Sequence, residues 1–553
     1  MTAWTHLDVG SSNGQNFLRA WQAWQTNPQR PRMLHFVAVC DDAYQNTGAD
    51  AGVKPLAEQL DAQLWGLLPG FHRLVFDGGQ VLLTLCVGNI QSLLKQHRFE
   101  ADSVFLDNLA SPCIDSLYTI KAIARLCKRG TVFKSACSDS ALQAALKQSG
   151  FEVGIASKPQ AIYNPSWSPK KSIVFVKTAS CIVIGAGLAG AAVASSLARR
   201  GWAVTVVDAA SAPASGASSL PAGLLVPHTS PDDSLLSRLS RAGVRITLQQ
   251  ARAYLRHGTD WGHTGVLQRG LGEDKLKLPP AWATSQWLAA SDWCYPASKK
   301  TLAAAGLPTD SPALWHAQAG WVKPAAMVAA WLATPGIVWR GDVKAAQLKP
   351  AIGGWQVVNT AGKLQAQADR VVLCAGYASQ ALAKSAGMSM PDLQAVRGQV
   401  TLGLQSDGTP MPPFAVNGHG NLLTAIPTPD GPTWLMGASY ERDVDLPNTK
   451  PQDHANNLAR LQVLLPHTAQ TLQNQFNTPH ARGWVGIRCA TRQRLPLVAS
   501  ASPDSAPGLW LCTGMGSRGL SFAALCGELL AAHWHGEPLP VESQLARAMG
   551  LRI

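Results

Sequence analysis

Residues 181–210 read CIVIGAGLAGAAVASSLARRGWAVTVVDAA, and the order of residue types in this stretch decides the fold. An apolar strand, Ser180–Ile184, runs into Gly185-x-Gly187-x-x-Gly190; an Ala-rich helical run follows, then a second apolar strand at Ala203–Val207, closed by Asp208. Each part has a physical task. Gly185 permits the tight turn, Gly187 lets the backbone approach a pyrophosphate, and Gly190 lets helix and strand pack closely, while the helix N-terminus offers N–H groups and a partial positive charge. Asp208 is placed to take the adenosine ribose hydroxyls, and an acid there disfavours a 2′-phosphate. The run from Thr178 to Ala198 is uncharged and about long enough to span a bilayer. Its density of Gly and Ala, and the Arg199-Arg200 stop, assign it to strand, turn and helix instead.

Working outward, Leu34–Val39, Val81–Val87 and Ser103–Leu106 read as strands, and Ile120–Cys127 and Ser140–Ser149 as helices. KPQAIYNPSWSPKK, Lys158–Lys171, carries three prolines and no period, the composition of a linker. The chain is therefore α/β throughout, with a first domain at 1–157, a linker at 158–177 and a longer domain at 178–553. At 553 residues, 46% hydrophobic and 15% charged, it has the composition of a folded protein with two sizeable cores. The formal charge of +13 favours polyanionic partners, but no block of five Lys/Arg occurs, so charge alone leaves RNA open. Eleven cysteines without a C-x-x-C pair argue against a disulfide scaffold and against a metal site. The first residues, MTAWTHLDVG, lack the pattern of a secretory signal. A cytoplasmic protein without a membrane anchor is expected.

Four further segments choose between dinucleotides. GASSLPAGLL (Gly216–Leu225), VVLCAGYAS (Val371–Ser379), WVGIRCATRQRLPLVA (Trp484–Ala499) and LWLCTGMGSRGLSFAALCGELLA (Leu509–Ala531) resemble, in this order, the flavin-contacting segments of the amino-acid oxidase superfamily. That resemblance implies FAD, held by Gly185, Gly187, Gly190, Asp208, Gly216, Ser218, Gly376, Gly514, Gly516, Ser517, Gly519 and Leu520.

The wording is closer still to one family. GASSLPAGLLVPHTSPDDSLLSRLSRAGVR, AGWVKPAAMV, VRGQVT, MGASYERDVD, GIRCATRQRLP and GSRGL are together similar to the bifunctional tRNA 5-methylaminomethyl-2-thiouridine biosynthesis proteins, over essentially the whole chain. The resemblance implies a Rossmann-like methyltransferase fold followed by an FAD-binding Rossmann domain with an α+β substrate subdomain. It also implies a tRNA partner and two reactions. The C-terminal half removes, with FAD, the carboxymethyl group of carboxymethylaminomethyl-uridine at the wobble position, and the N-terminal half methylates the exposed amine with S-adenosylmethionine. Such a substrate is an N-substituted glycine, and a planar guanidinium suits its carboxylate best. Arg488 is the first candidate and Arg518 the second, with Tyr440 and Arg442 lining the same cavity. A salt bridge is the alternative role for each arginine. No separate base is required, since a neutral amine can surrender hydride directly.

The first domain departs from the family. LDVGSSNGQNFLRAWQAWQ (Leu7–Gln25) has the place of a S-adenosylmethionine-binding strand and turn, with Gly10, Gly14 and Asn16 as cofactor residues. The family's turn is Gly-Phe-Gly-Thr-Gly-Leu-Asn-Phe, and Ser12 stands here for its middle glycine, adding a Cβ where backbone should approach the ligand. Cys40 replaces the acid at the end of the second strand, with Asp41 or Asp42 as stand-ins, and Gly88-Asn89 replaces Gly-Asp. Of the family's catalytic loop, only Asp107 and a displaced Pro112 remain, with Asn108 beside the aspartate. The family's preceding β-rich segment has no counterpart. These changes predict weakened cofactor binding and leave two readings of this half, an active transferase or a vestigial fold that binds tRNA or supports its neighbour. For the whole chain, an oxidase of free glycine or sarcosine-type amines is the alternative.

Overall fold

The computed structural model describes residues 3–41, 44, 51–106, 116–135, 139–154, 160–169, 175–270, 276–283, 285–406, 408–476, 482–501 and 507–552. The chain forms two compact units. One comprises Met1–Thr178 with Glu528–Arg547, the other Ala179–Gly527 with Ala548–Arg552. Among the described residues no helix is long and apolar enough to cross a membrane; the uncharged run after Thr178 is the strand Ser180–Ile184 and the helix Leu188–Arg199.

The first unit is built on eight strands: β1 (Ala3–Val9), β2 (Met33–Cys40), β3 (Gly70–Phe76), β4 (Val81–Val87), β5 (Ala101–Leu106), β6 (Cys127–Ser135), β7 (Phe151–Val153) and β8 (Gln160–Tyr163). They lie in the order β3-β4-β2-β1-β5-β6-β8-β7. The central strands β4, β2, β1, β5 and β6 are parallel, and β3, β7 and β8 join antiparallel. The chain leaves β1 for β2 and β4 on one side and later for β5 and β6 on the other. The order reverses at β1, which opens a crevice at its carboxyl end beside Gly10–Gly14. Side chains alternate across this sheet with period two. Leu7, Val9, Val37 and Val39 enter one core, while Leu34, Phe36, Ala38 and Cys40 enter the other. The helix Gln15–Thr26 buries Phe17, Leu18, Trp21 and Trp24 along one stripe, the spacing of an amphipathic helix on a sheet.

Two local expectations are corrected. Gln160–Tyr163, inside the presumed linker, is a strand between β6 and β7, with Ala161 and Tyr163 turned inward. Its alternation is only two buried residues deep and lies between prolines, so composition hid it. The helix expected over Ile120–Cys127 covers Ser116–Ala124, because Cys127 pairs with Ala101 and opens β6.

Residues Glu528–Arg547 belong to the first unit. Trp534, Leu539, Val541, Leu545 and Ala546 are buried. Val176 N–H donates to the Trp534 carbonyl at 2.8 Å, Arg73 Nη2 to the Pro538 carbonyl at 2.5 Å, and Ser543 Oγ to the Gln96 carbonyl.

The second unit begins with a six-stranded sheet ordered Ile337–Arg340, Ala203–Val207, Ser180–Ile184, Arg370–Leu373, Leu509–Thr513, Leu497–Ser500. All neighbours are parallel except the last pair. A larger, mainly antiparallel sheet contains Leu393–Leu404 and Arg482–Thr491, paired over ten residues.

Val541→Asp places an unpaired carboxylate in the first unit's core and is expected to cost about 3 kcal/mol or more. Limited proteolysis should then cut residues 1–178 while the flavin-binding unit resists; unchanged resistance of the first unit would contradict its dependence on the chain's end.

Candidate functional site

The strand Ser180–Ile184 ends in a turn that only glycine can make. Gly185 has φ +109°, and a Cβ on it would stand 2.6 Å from the Cys374 carbonyl oxygen. A Cβ on Gly190 would stand 1.8 Å from the Gly185 carbonyl oxygen. Gly187 caps the helix Leu188–Arg199 without a side chain of its own. The Leu188 N–H instead meets Ser218 Oγ at 3.0 Å, so Ser218, from the Gly216–Ser219 segment, reaches the phosphate-binding helix end. Asp208, at the end of the second strand, accepts from the Ala186 and Ala210 N–H groups at 2.7 and 2.9 Å. Its carboxylate is thereby fixed at the strand edge where a ribose would lie. The cradle that a Cβ would fill and this oriented acid fit the adenosine pyrophosphate of FAD.

Gly376 and Gly514 follow the carboxyl ends of neighbouring parallel strands. Gly376, φ +57°, follows the strand Arg370–Leu373, and its carbonyl accepts from Thr513 Oγ1 at 3.2 Å. Thr513 leads into Gly514 and Gly516, with φ +74° and +55°. The Gly516 N–H bonds the Cys489 carbonyl at 2.7 Å. Gly519 opens the last long helix, with Leu188 3.2 Å from where its Cβ would stand, and Leu520 is buried against Gly223. Gly216 has open space around it and is not sterically required.

The substrate candidates converge on that turn. Arg488 lies opposite Val396 in the long strand pair. Its guanidinium crosses Gly398, where a Cβ would stand 2.0 Å from Nη2, and Nη1 reaches Ser517 Oγ at 3.4 Å. The Arg488 and Arg442 guanidiniums lie 5.9 and 5.8 Å from the centre of the half-exposed Tyr440 ring. Burial holds the Arg488 pKa below the ordinary arginine range, with Tyr440 opposing and Arg460 adding to the shift. Arg518 is lowered in the same way, by burial and then by Arg494. A cluster of cations losing solvation in one place is poised for an anion.

Two residues near this cluster escaped sequence reasoning. His228 follows the strand Gly223–Leu225; its Nδ1 meets Ser237 Oγ at 3.0 Å, and burial, then Arg518, push its pKa down to about 4, so it is neutral at pH 7. Arg397, fully buried, bonds Asp453 at 2.7 Å and the Asn448 carbonyl, and so anchors the segment that follows Tyr440. The one available signal was its place in VRGQVT, inside an apolar strand.

In the first unit, Gly10 and Gly14 both take left-handed backbone, φ +86° and +73°, and Gly14 caps the helix Gln15–Thr26. Asn16 is turned to Asp8, whose Oδ2 accepts from its Nδ2 at 3.3 Å. Asp8 was not foreseen, although an acid inside an apolar strand two residues before Gly10 marks it. Cys40 Sγ points to the Cys86 carbonyl, and Asp41 accepts from the Ile90 N–H at 3.3 Å. Asp42, Asp107 and Asn108 lie outside the described residues.

A glycine turn at a parallel-sheet edge, joined to an arginine-lined antiparallel sheet, defines an FAD-dependent oxidoreductase, and the family model of that description matches residues 180–533. A model for S-adenosyl-L-methionine-dependent methyltransferases matches residues 51–161. The chain is 50% identical to the tRNA 5-methylaminomethyl-2-thiouridine biosynthesis bifunctional protein MnmC of Polaromonas naphthalenivorans (strain CJ2), covering 99% of this chain and 89% of that one. It is 45% identical to the protein of the same name from Delftia acidovorans (strain DSM 14801 / SPH-1), over 99% and 90%. The chain belongs to this bifunctional family, with FAD and S-adenosylmethionine as its cofactors. Glycine oxidase from Bacillus cereus ATCC 14579 shares the fold of the flavin unit, with a TM-score of 0.53 at 19% identity, over 68% of this chain and 99% of that one.

Gly190→Ala is expected to yield protein without stoichiometric flavin absorbance, whereas Gly216→Ala should remain yellow. Equal flavin content in the two variants would contradict the assignment of close packing to Gly190.

Proposed function

We propose that the second unit oxidises the N-substituted glycine of 5-carboxymethylaminomethyl-uridine at the wobble position of tRNA, and that the first unit methylates the amine so exposed. The observation that carries this reading is Arg488, laid across Gly398 and beside Ser517 at the turn that closes the flavin site. Its relatives' names, which describe tRNA 5-methylaminomethyl-2-thiouridine biosynthesis, supply the nucleic acid.

When bound, FAD supplies a two-electron acceptor for the C–H bond next to the substrate amine. Arg488 grips the substrate carboxylate through its planar fork, and Arg518 adds charge beside it. Tyr440 walls the cavity and keeps two guanidiniums in place. The neutral His228 adds no positive charge beside an amine that must lose its own before it can be oxidised. Water then splits the resulting substrate imine into glyoxylate and the 5-aminomethyl base. In the first unit, Gly10, Gly14 and Asn16 border the S-adenosylmethionine site, and Asp107 is the acid candidate for the methyl acceptor. The same reading takes tRNA as the partner and the cytoplasm as the compartment.

Removing a buried, charge-assisted carboxylate contact costs roughly 2–4 kcal/mol, or about thirty- to several-hundred-fold in rate. Arg488→Ala should therefore keep its flavin but lose carboxymethyl removal by that factor, measured as released glyoxylate per tRNA, with Arg488→Lys in between. Undiminished turnover in Arg488→Ala would overturn the assignment. The +13 charge is dispersed, so tRNA affinity should fall linearly in log–log form with salt concentration; salt-insensitive filter binding would contradict a phosphate-based contact.

A further inference from the structure

The first unit carries Cys40 where an acid is expected at the end of β2, and the structure shows what Cys40 and Asp41 do instead. Cys40 points to the Cys86 carbonyl and Asp41 to the Ile90 N–H, so both are engaged within the fold. Four residues beyond Cys40 stands Tyr44. Its ring is 3% exposed and packs in the cluster of Phe17, Leu18 and Leu60. Its hydroxyl is buried and has no hydrogen-bond partner among the described residues. A Cβ on Gly14 would stand 3.4 Å from that oxygen and 3.5 Å from the neighbouring ring carbon, so the phenol edge abuts the turn that opens the helix Gln15–Thr26.

An unsatisfied buried hydroxyl is costly, and phenylalanine would fill the same volume without it. Burial, and then the nearby Asp8 and Cys40, push the phenol's pKa well above its ordinary value, so the group keeps its proton and is a donor. A donor without an acceptor among the described residues, pressed against a glycine turn at the switch point of a parallel sheet, is accounted for by an acceptor that arrives with a ligand.

We propose that Tyr44 is a S-adenosylmethionine-binding residue, its O–H donating to an oxygen of the cofactor held at the Gly10–Gly14 turn. It does, four residues beyond β2, what an acid does at the strand's end in other nucleotide-binding sheets. The proposal rests on the reading of the first unit as a S-adenosylmethionine site. Two oxygen-bearing parts of that molecule meet the requirement, the ribose hydroxyls and the methionine carboxylate, and 5′-methylthioadenosine, which keeps the ribose and lacks the carboxylate, separates them.

The test is calorimetric titration of the full chain and of Tyr44→Phe with each compound, together with thermal unfolding of both proteins without ligand. Tyr44→Phe should unfold no earlier than the wild type and should bind S-adenosylmethionine about tenfold more weakly. Weakening for both compounds assigns the contact to the ribose; weakening for S-adenosylmethionine alone assigns it to the carboxylate. Wild-type binding with an unchanged dissociation constant in Tyr44→Phe overturns the proposal and leaves the methyltransferase reading standing. Wild-type protein that binds neither compound overturns both. A Tyr44→Phe protein that unfolds earlier without ligand shows that the hydroxyl is already satisfied within the fold, and overturns the proposal as well.

Discussion

The second unit depends on a collision that is avoided by one atom per residue. The carbonyl of Gly185 and the Cα of Gly190 approach so closely that no Cβ fits, and the Cys374 carbonyl closes on Gly185 from the other side. Strand, helix and the returning strand Arg370–Leu373 are therefore locked at one point. From there the contacts run outward in sequence: Thr513 to the Gly376 carbonyl, Gly516 to the Cys489 carbonyl, and Arg488 to Ser517. The place of Arg488 on one sheet thus depends on backbone packing on another, and the guanidinium can lie there because Gly398 carries no side chain.

The first unit applies the same logic with different parts. Its sheet also reverses order at a central strand beside a glycine turn, but Ser12 occupies the middle of the turn and Cys40 the end of β2. Asp8 is buried and accepts from Asn16 Nδ2, and the Tyr44 phenol lies against Gly14. The strand order still reverses at β1 beside the Gly10–Gly14 turn.

The strands Ser180–Ile184 and Ala203–Val207 were legible to the residue, because a buried parallel strand is an unbroken apolar run bounded by glycine or charge. Gln160–Tyr163 was not legible, since an antiparallel strand with two inward residues among prolines carries almost no period. The same holds for Glu528–Arg547, whose apolar residues announce burial without saying in which core. Of the site, the phosphate turn could be read from spacing alone, because glycine's conformational freedom is written in the sequence. Arg488 and Arg518 came through resemblance to a family. His228 and Arg397 needed coordinates, because an imidazole or a guanidinium acquires its role from neighbours distant in the chain.

On the proposed reading, one chain carries out oxidation at one glycine turn and methylation at another, on a single tRNA base. Nucleoside mass analysis of tRNA bearing the carboxymethylaminomethyl base, after incubation with the purified protein with and without S-adenosylmethionine, tests it directly. The expected products are the aminomethyl base without S-adenosylmethionine and the methylaminomethyl base with it. Persistence of the carboxymethylaminomethyl base in both samples, while free glycine or sarcosine is consumed, would contradict it.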